Sequence, residues 1–248
     1  MSLRFFSAAF NRLRWHLAML MGVSAVVIGP LVIAAQGATS RDLMDVPSPK
    51  LATALRTMVS GVASQGGLTV AVGPRGLILR TDEVGGSWRQ VTSPVSTDLA
   101  TVRFTGPNVV WAVGHDAVAL RSADGGATWE RMLDGRTVLK LLREAAKGSE
   151  QLEAEIERTM QQSATADVWP APLLDIRFAA DGLTGFAVGG FGLILQTTDG
   201  GKSWQSWLNK ADNDQRYHLY AMTGGDGAIF VAGEQGLVMR FNAERQRF

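Results

Sequence analysis

The sequence predicts an all-β fold of four-stranded antiparallel sheets repeated along the chain, and three observations predict it. A corner phrase recurs, "TDEVGGSW" at 81–88, "SADGGATW" at 122–129 and "TTDGGKSW" at 197–204. Each phrase closes a series of short runs rich in Val, Ile, Leu and aromatics, the residues that fit a pleated, half-buried surface. Trp88 and Trp129 stand 41 residues apart, and four strands in such a period make one blade of a β-propeller.

The units are "LTVAVGPRGLILRTDEVGGSW" (68–88), "VVWAVGHDAVALRSADGGATW" (109–129), "TGFAVGGFGLILQTTDGGKSW" (184–204) and "AIFVAGEQGLVMRFNAERQRF" (228–248). Before them stand "TMVSGVAS", "DLATVRFT", "LLDIRFAA" and "HLYAMTGG" as first strands, and a fourth strand is expected to start at each Trp. The 28 glycines fall mostly in the turns between these runs, which favours many short strands over few helices.

Taken in order, residues 1–40 are a signal peptide or membrane anchor. Arg4, Arg12 and Arg14 precede the uncharged run Leu17 to Ala35, and small residues come next. That order suits either a leader cleaved after Gly37 or a retained hydrophobic helix of about 20 residues. Both readings export the remainder of the chain, to the periplasm or the outer face of the cytoplasmic membrane. Membrane association through this segment is expected if it is kept. Residues 41–133 then hold blades 1 and 2, and residues 172–248 blades 3 and 4. Between them, residues 134–171 break the β pattern. Val138, Leu139, Leu142 and Ala145, then Leu152, Ile156 and Met160, recur at helical spacing. Gly148 is expected to separate a pair of short helices, with Glu150, Glu153 and Glu157 on a solvated face. This insertion is either an excursion over the propeller rim or a docking arm. The fourth unit reaches Phe248 before an outer strand. The expectation is a member lacking its last blades, with apolar flanks bare. The other way to finish is a closed four-bladed ring whose last strand comes from residues 41–55.

The corner phrase reads as architecture. An Asp side chain can accept from backbone N–H groups of its own turn. Glycine takes a positive φ without a steric cost, and Trp covers the apolar layer between blades. Asp124, Gly126 and Trp129, with Asp199, Gly201 and Trp204, are expected to be such braces. The first corner has Glu83 before Trp88 and should be looser. The fourth has Ala243 and Phe248 instead. One carboxylate per turn is too few for calcium, which wants six to eight oxygens, so no metal is expected.

These corners resemble the Asp-box, or BNR, repeat of sialidase-like β-propellers. The flanking wording around "AVG", "ILRT" and "DGG" is similar to the photosystem II stability and assembly factor family. The resemblance covers roughly residues 55–133 and 172–248. It implies a non-catalytic scaffold that holds a membrane protein complex or assembly intermediate, in photosynthesis or in another envelope complex such as a transporter. The other reading it leaves open is a glycan-binding or glycosidase protein of the sialidase kind.

Composition narrows the choices. There is no Cys, which removes disulfides, thiolate metal sites and Cys nucleophiles. Without the three leader arginines, 21 basic residues face 23 acidic ones, and no basic excess suggests nucleic acid. His16, His115 and His218 lack metal spacing. Tyr217 and Tyr220 are the only tyrosines, and the sialidase Arg-Ile-Pro signature is missing. No enzyme activity and no cofactor are expected. One recurrence suggests a site: Arg80, Arg121 and Arg240 fall at one position in three blades, with Gln196 in the other. On one propeller face they would form an arc of donors for carboxylates. Otherwise each pairs with a carboxylate nearby.

Overall fold

A computed structural model describes residues 42–83, 85–225 and 228–248. The expected leader lies outside the described residues. No helix among the described residues is long and apolar enough to cross a membrane.

The first blade pairs β1 (Gly61–Gln65), β2 (Leu68–Val72), β3 (Ile78–Thr81) and β4 (Arg89–Val91) in chain order, each antiparallel to the next. The second repeats it with β5 (Leu99–Phe104), β6 (Val110–Gly114), β7 (Ala119–Ser122) and β8 (Glu130–Leu133). Two helices come next, α1 (Gly135–Ala146) and α2 (Glu150–Met160). The third blade is β9 (Leu173–Phe178), β10 (Gly185–Gly189), β11 (Ile194–Thr197) and β12 (Gln205–Ser206). The last has three strands, β13 (Leu219–Gly225), β14 (Ala228–Gly233) and β15 (Val238–Arg240). These are the antiparallel blades that the repeat predicts. The first strands β1, β5, β9 and β13 stand side by side in succession, as the inner strands of a partial propeller do.

Side chains alternate along each strand, so every blade has two faces. One face of blade 1, with Val70, Val72 and Ile78, packs on Leu99, Val102, Ala112 and Leu120 of blade 2. The other face of blade 2, with Trp111, Val113 and Ala119, packs on Ile176, Ala187 and Leu195 of blade 3. Phe186, Val188 and Ile194 then meet Met222, Val231 and Met239 of blade 4. Because both faces of the middle blades are covered, β6 and β10 are buried throughout.

The hairpins between second and third strands need left-handed backbone. Arg75, Asp116, Phe191 and Gln235 have φ between 54° and 57°. The residue after each is also left-handed, a glycine in three blades but Ala117 (φ 49°) in the second. Two positive φ values in succession give the turn whose twist matches a β-hairpin.

Helix α1 begins at Asp134, whose carboxylate accepts from Thr137 N–H, a standard N-cap. Its buried Val138, Leu139 and Leu142 join the core between blades 2 and 3. Ser149 caps α2, after Gly148 at φ 82°. Residues 41–55 supply no fourth-blade strand in the described structure. Residues 43–45 and 54–56 are short 3-10 turns, and Leu51 and Ala54 pack on Ala71, Leu77 and Leu79 of blade 1. Local hydrogen bonds pin this segment there. Gln90 accepts from Leu51 N–H at 3.0 Å and donates to Pro49 O at 2.8 Å.

Candidate functional site

The corners of blades 2 and 3 share one geometry. In blade 2, Asp124 Oδ1 accepts from Ser122 Oγ at 2.7 Å, Ala127 N at 3.0 Å and Thr128 N at 2.9 Å. Its Oδ2 accepts from Thr128 Oγ1 at 2.6 Å. Gly126 donates to Ser122 Oγ, and the Trp129 indole donates to Gly126 O at 3.0 Å. In blade 3, Asp199 accepts from Thr197, Ser203 N and Ser203 Oγ, and the Trp204 indole donates to Gly201 O. Burial pushes the Asp124 carboxyl up, but the bonds from Thr128, Ser122 and Ala127 outweigh it and hold it at about 2. The Ser203 hydroxyl and N–H, with Thr197, hold Asp199 at about 2 as well. These oxygens are occupied by their own main chain and the turn hydroxyls.

Each of these corners also rests on the blade before it. A methyl placed on Gly126 would meet Val70 at 2.8 Å, and one on Gly201 would meet Trp111 at 2.3 Å. Trp204 stands edge-on to Trp111 and Phe178, with ring centroids 6.1 and 6.2 Å away. The first corner differs. Thr81 donates to Glu83 O, not to its carboxylate, and Trp88 sits half-buried beside Ala71, Leu77 and Leu79. In the fourth, Phe248 is buried against Phe186, Trp207 and Phe241.

The three recurrent arginines do not form one set. Arg80 is buried in the seam between blades 1 and 2, where Nε donates to Gly125 O at 2.9 Å and the guanidinium pairs with Asp82. It is therefore withdrawn from any partner, which corrects the expected arc. Arg121 lines a rim groove of about 410 Å³ with Trp111, Met132, Leu183 and Lys202. Arg240 is exposed, with its guanidinium carbon 6.0 Å from the Phe230 ring centroid.

A second pair of arginines went unnoticed in the sequence. Arg103 and Arg177 hold the same position on inner strands β5 and β9, in "TVRF" and "DIRF". With Gln65, Phe104, Phe178 and Gly224 they line an inner cleft of about 320 Å³. Asp175 positions Arg103, binding Nε and Nη2 at 2.9 Å each. The same buried carboxylate accepts from Met222 N in blade 4 at 2.8 Å, so one side chain joins three blades. Arg177 donates to Gly224 O. The signal available was the repeated "RF" at the end of two first strands. Among the described residues, no cluster of three or more His, Asp or Glu is placed to hold a metal ion.

Residues 157–247, the end of α2 with blades 3 and 4, match the family described as photosynthesis system II assembly factor YCF48. Over this stretch the chain is similar to that family, and the match covers less than half of its length. No curated protein shows significant sequence similarity to it. Among solved structures, the chain is similar to YCF48 from Cyanidioschyzon merolae at 18% identity and a TM-score of 0.50. That match covers 78% of this chain and 57% of the other, so the chain spans little more than half of that protein. It is also similar to YCF48 bound to D1 peptide (14% identity, 73% of this chain and 76% of that one, TM-score 0.29). A xyloglucanase of glycoside hydrolase family 74 from Xanthomonas campestris matches at 15% identity over 76% of this chain and 30% of its own, with a TM-score of 0.49.

Proposed function

We propose that the chain is a non-catalytic propeller scaffold that acts outside the cytoplasmic membrane, in assembly or stabilisation of a membrane protein complex. The family match over residues 157–247 supports the assembly-factor reading. One observation carries the choice of site. The recurrent carboxylates are consumed by their own turns, whereas Arg177 reaches the inner cleft bonded to a backbone carbonyl and without a carboxylate partner, next to Arg103, which Asp175 holds in place. The Arg177 guanidinium beside Phe104 and Phe178 suits an extended peptide that offers a carboxylate and an apolar side chain. By this reading the peptide belongs to a membrane protein, with a photosystem II subunit as the first partner to test.

The D1 peptide is the probe. Fluorescence anisotropy with the full-length chain should show saturable binding, and Arg177→Gln should weaken it by roughly tenfold, the loss of one charge-assisted contact. Gln keeps a donor for Gly224 O, so the melting point should hold. Absence of binding, or retention of xyloglucan oligosaccharides in its place, would remove the scaffold reading. An alkaline phosphatase fused after Phe248 should be active only if the domain is exported.

A further inference from the structure

Strand register sets Arg103, Trp111 and Arg121 in one row across β5, β6 and β7 of blade 2. Residues opposite each other on paired strands share a face, and Trp111 packs on blade 3, so both arginines flank the seam between blades 2 and 3. Arg103 stands at the inner cleft and Arg121 at the rim groove. The two cavities share Thr105, Gly106 and Ala180 in their lining, so one path runs from the cleft to the rim. Blades 2 and 3, which wall it, each have all four strands. The seam between blades 1 and 2 is closed at the matching place. There Arg80 pairs with Asp82 and donates to Gly125 O of the next corner. In blade 2, Ala123 stands where blade 1 has Asp82, and Trp111 where it has Val70. Among the described residues Arg121 has no ion pair, and Glu130, its exposed cross-strand neighbour, forms none with it. Loss of the carboxylate and a larger residue in mid-row leave a groove of about 410 Å³ in place of a filled seam.

We propose that the rim groove is a second subsite for the peptide held in the inner cleft, taking an Asp or Glu on Arg121 and an apolar side chain against Met132 and Leu183. The proposal rests on the peptide reading of the cleft. Leu183 is 53% exposed at the groove. Asp181 and Asp199 also border the groove, but their oxygens are engaged. Asp181 accepts from Leu183 N at 2.8 Å and from Thr184 N and Oγ1 at 2.9 Å each, and Asp199 is bound by Ser203. These two carboxylates balance the charge of Arg121 and Lys202, so selection comes from the directed guanidinium fork and not from a net field. Neighbouring strands lie about 4.8 Å apart, which puts β5 and β7 about 10 Å apart, or roughly three residues of extended peptide. The acid in the groove is therefore expected about three or four residues from the acid in the cleft.

Selection from a random library of twelve-residue peptides on the full-length chain in mild detergent tests this. Enriched peptides should carry two acids at about that spacing. Arg121→Gln copies Gln196, which holds the matching position in blade 3, so its melting point should equal the parent's. It should drop the requirement for one of the two acids and weaken a synthetic peptide of the enriched sequence by roughly tenfold, the loss of one charge-assisted contact. Ala123→Asp keeps the arginine but supplies the carboxylate that pins Arg80, and should cause the same loss. Arg177→Gln should drop the requirement for the other acid. Peptides with a single acid, sensitive to Arg177→Gln and indifferent to both Arg121→Gln and Ala123→Asp, would overturn the second subsite and leave the cleft reading standing. Sensitivity to the two groove variants with none to Arg177→Gln would support the groove and overturn the cleft. A library that enriches no sequence would overturn both.

Discussion

The corner of blade 3 and the corner of blade 1 share four of their eight residues and are worth different amounts. In blade 3, Asp199 gathers its turn, Gly201 lies against Trp111, and Trp204 packs on Trp111 and Phe178. In blade 1, Asp82 is drawn into ion pairs with Arg80 and Arg89, and a methyl on Gly85 would meet open space. Blade 1 lacks both the carboxylate bonds of the turn and a blade behind its corner, so the motif draws its stabilising effect from the turn and the seam together.

The largest expected effect tests that directly. Trp204→Ala should destabilise by about 3–5 kcal/mol, the range for deleting a buried aromatic. Trp88→Ala should cost clearly less, and equal losses in denaturant titration would erase the comparison. Next, Gly201→Ala should cost about 2–3 kcal/mol, because it adds overpacking on Trp111 to the strain of φ 85°. Gly85→Ala, at φ 74° in open space, should cost about 1 kcal/mol. Glu83→Ala should lie within about 0.5 kcal/mol of the parent, as surface changes do. Glu83→Asp sharpens the contrast, since it should raise the melting point slightly by supplying a shorter carboxylate to the turn.

Acid separates the corners in another way. Asp124 and Asp199 are held at about 2 when folded, against ~3.9 for an unfolded aspartate. A lowered folded value means their contribution is complete above ~3.9 and is lost as pH falls towards 2. Stability measured across that window should fall less steeply in Asp124→Asn and Asp199→Asn than in the parent.

Most of the architecture was legible in the sequence, because blade strands and corners are local features. The apolar runs, the Gly-Gly turns and the Trp positions each speak for their own neighbourhood, and the helical spacing in 138–160 did the same. What spans blades was not legible. The bond from Arg80 to Gly125 joins residues 45 apart, and nothing near Arg80 distinguishes it from Arg121 or Arg240. Asp175 reads as one acid in an apolar run, and its link to Arg103 crosses 72 positions. The covering of blade 1 by Leu51 and Ala54 was missed for a related reason. A short irregular segment carries no periodicity, although its two apolar side chains pack on Ala71, Leu77 and Leu79.

The ties at the start of the described chain have a mechanical consequence. Arg136, in the first turn of α1, grips Asp42 at 2.6 Å and Asp45 at 2.8 Å, and Arg131 of β8 holds Asp45 at 3.0 Å and the Met44 carbonyl. Met44 itself is sunk among Val72, Val95 and Leu99. Tension arriving along the backbone from residues before 42 would thus be taken up by the second blade and its inserted helix, leaving β1 slack. The arrangement works like the strain relief on a cable, in which the load bypasses the first joint.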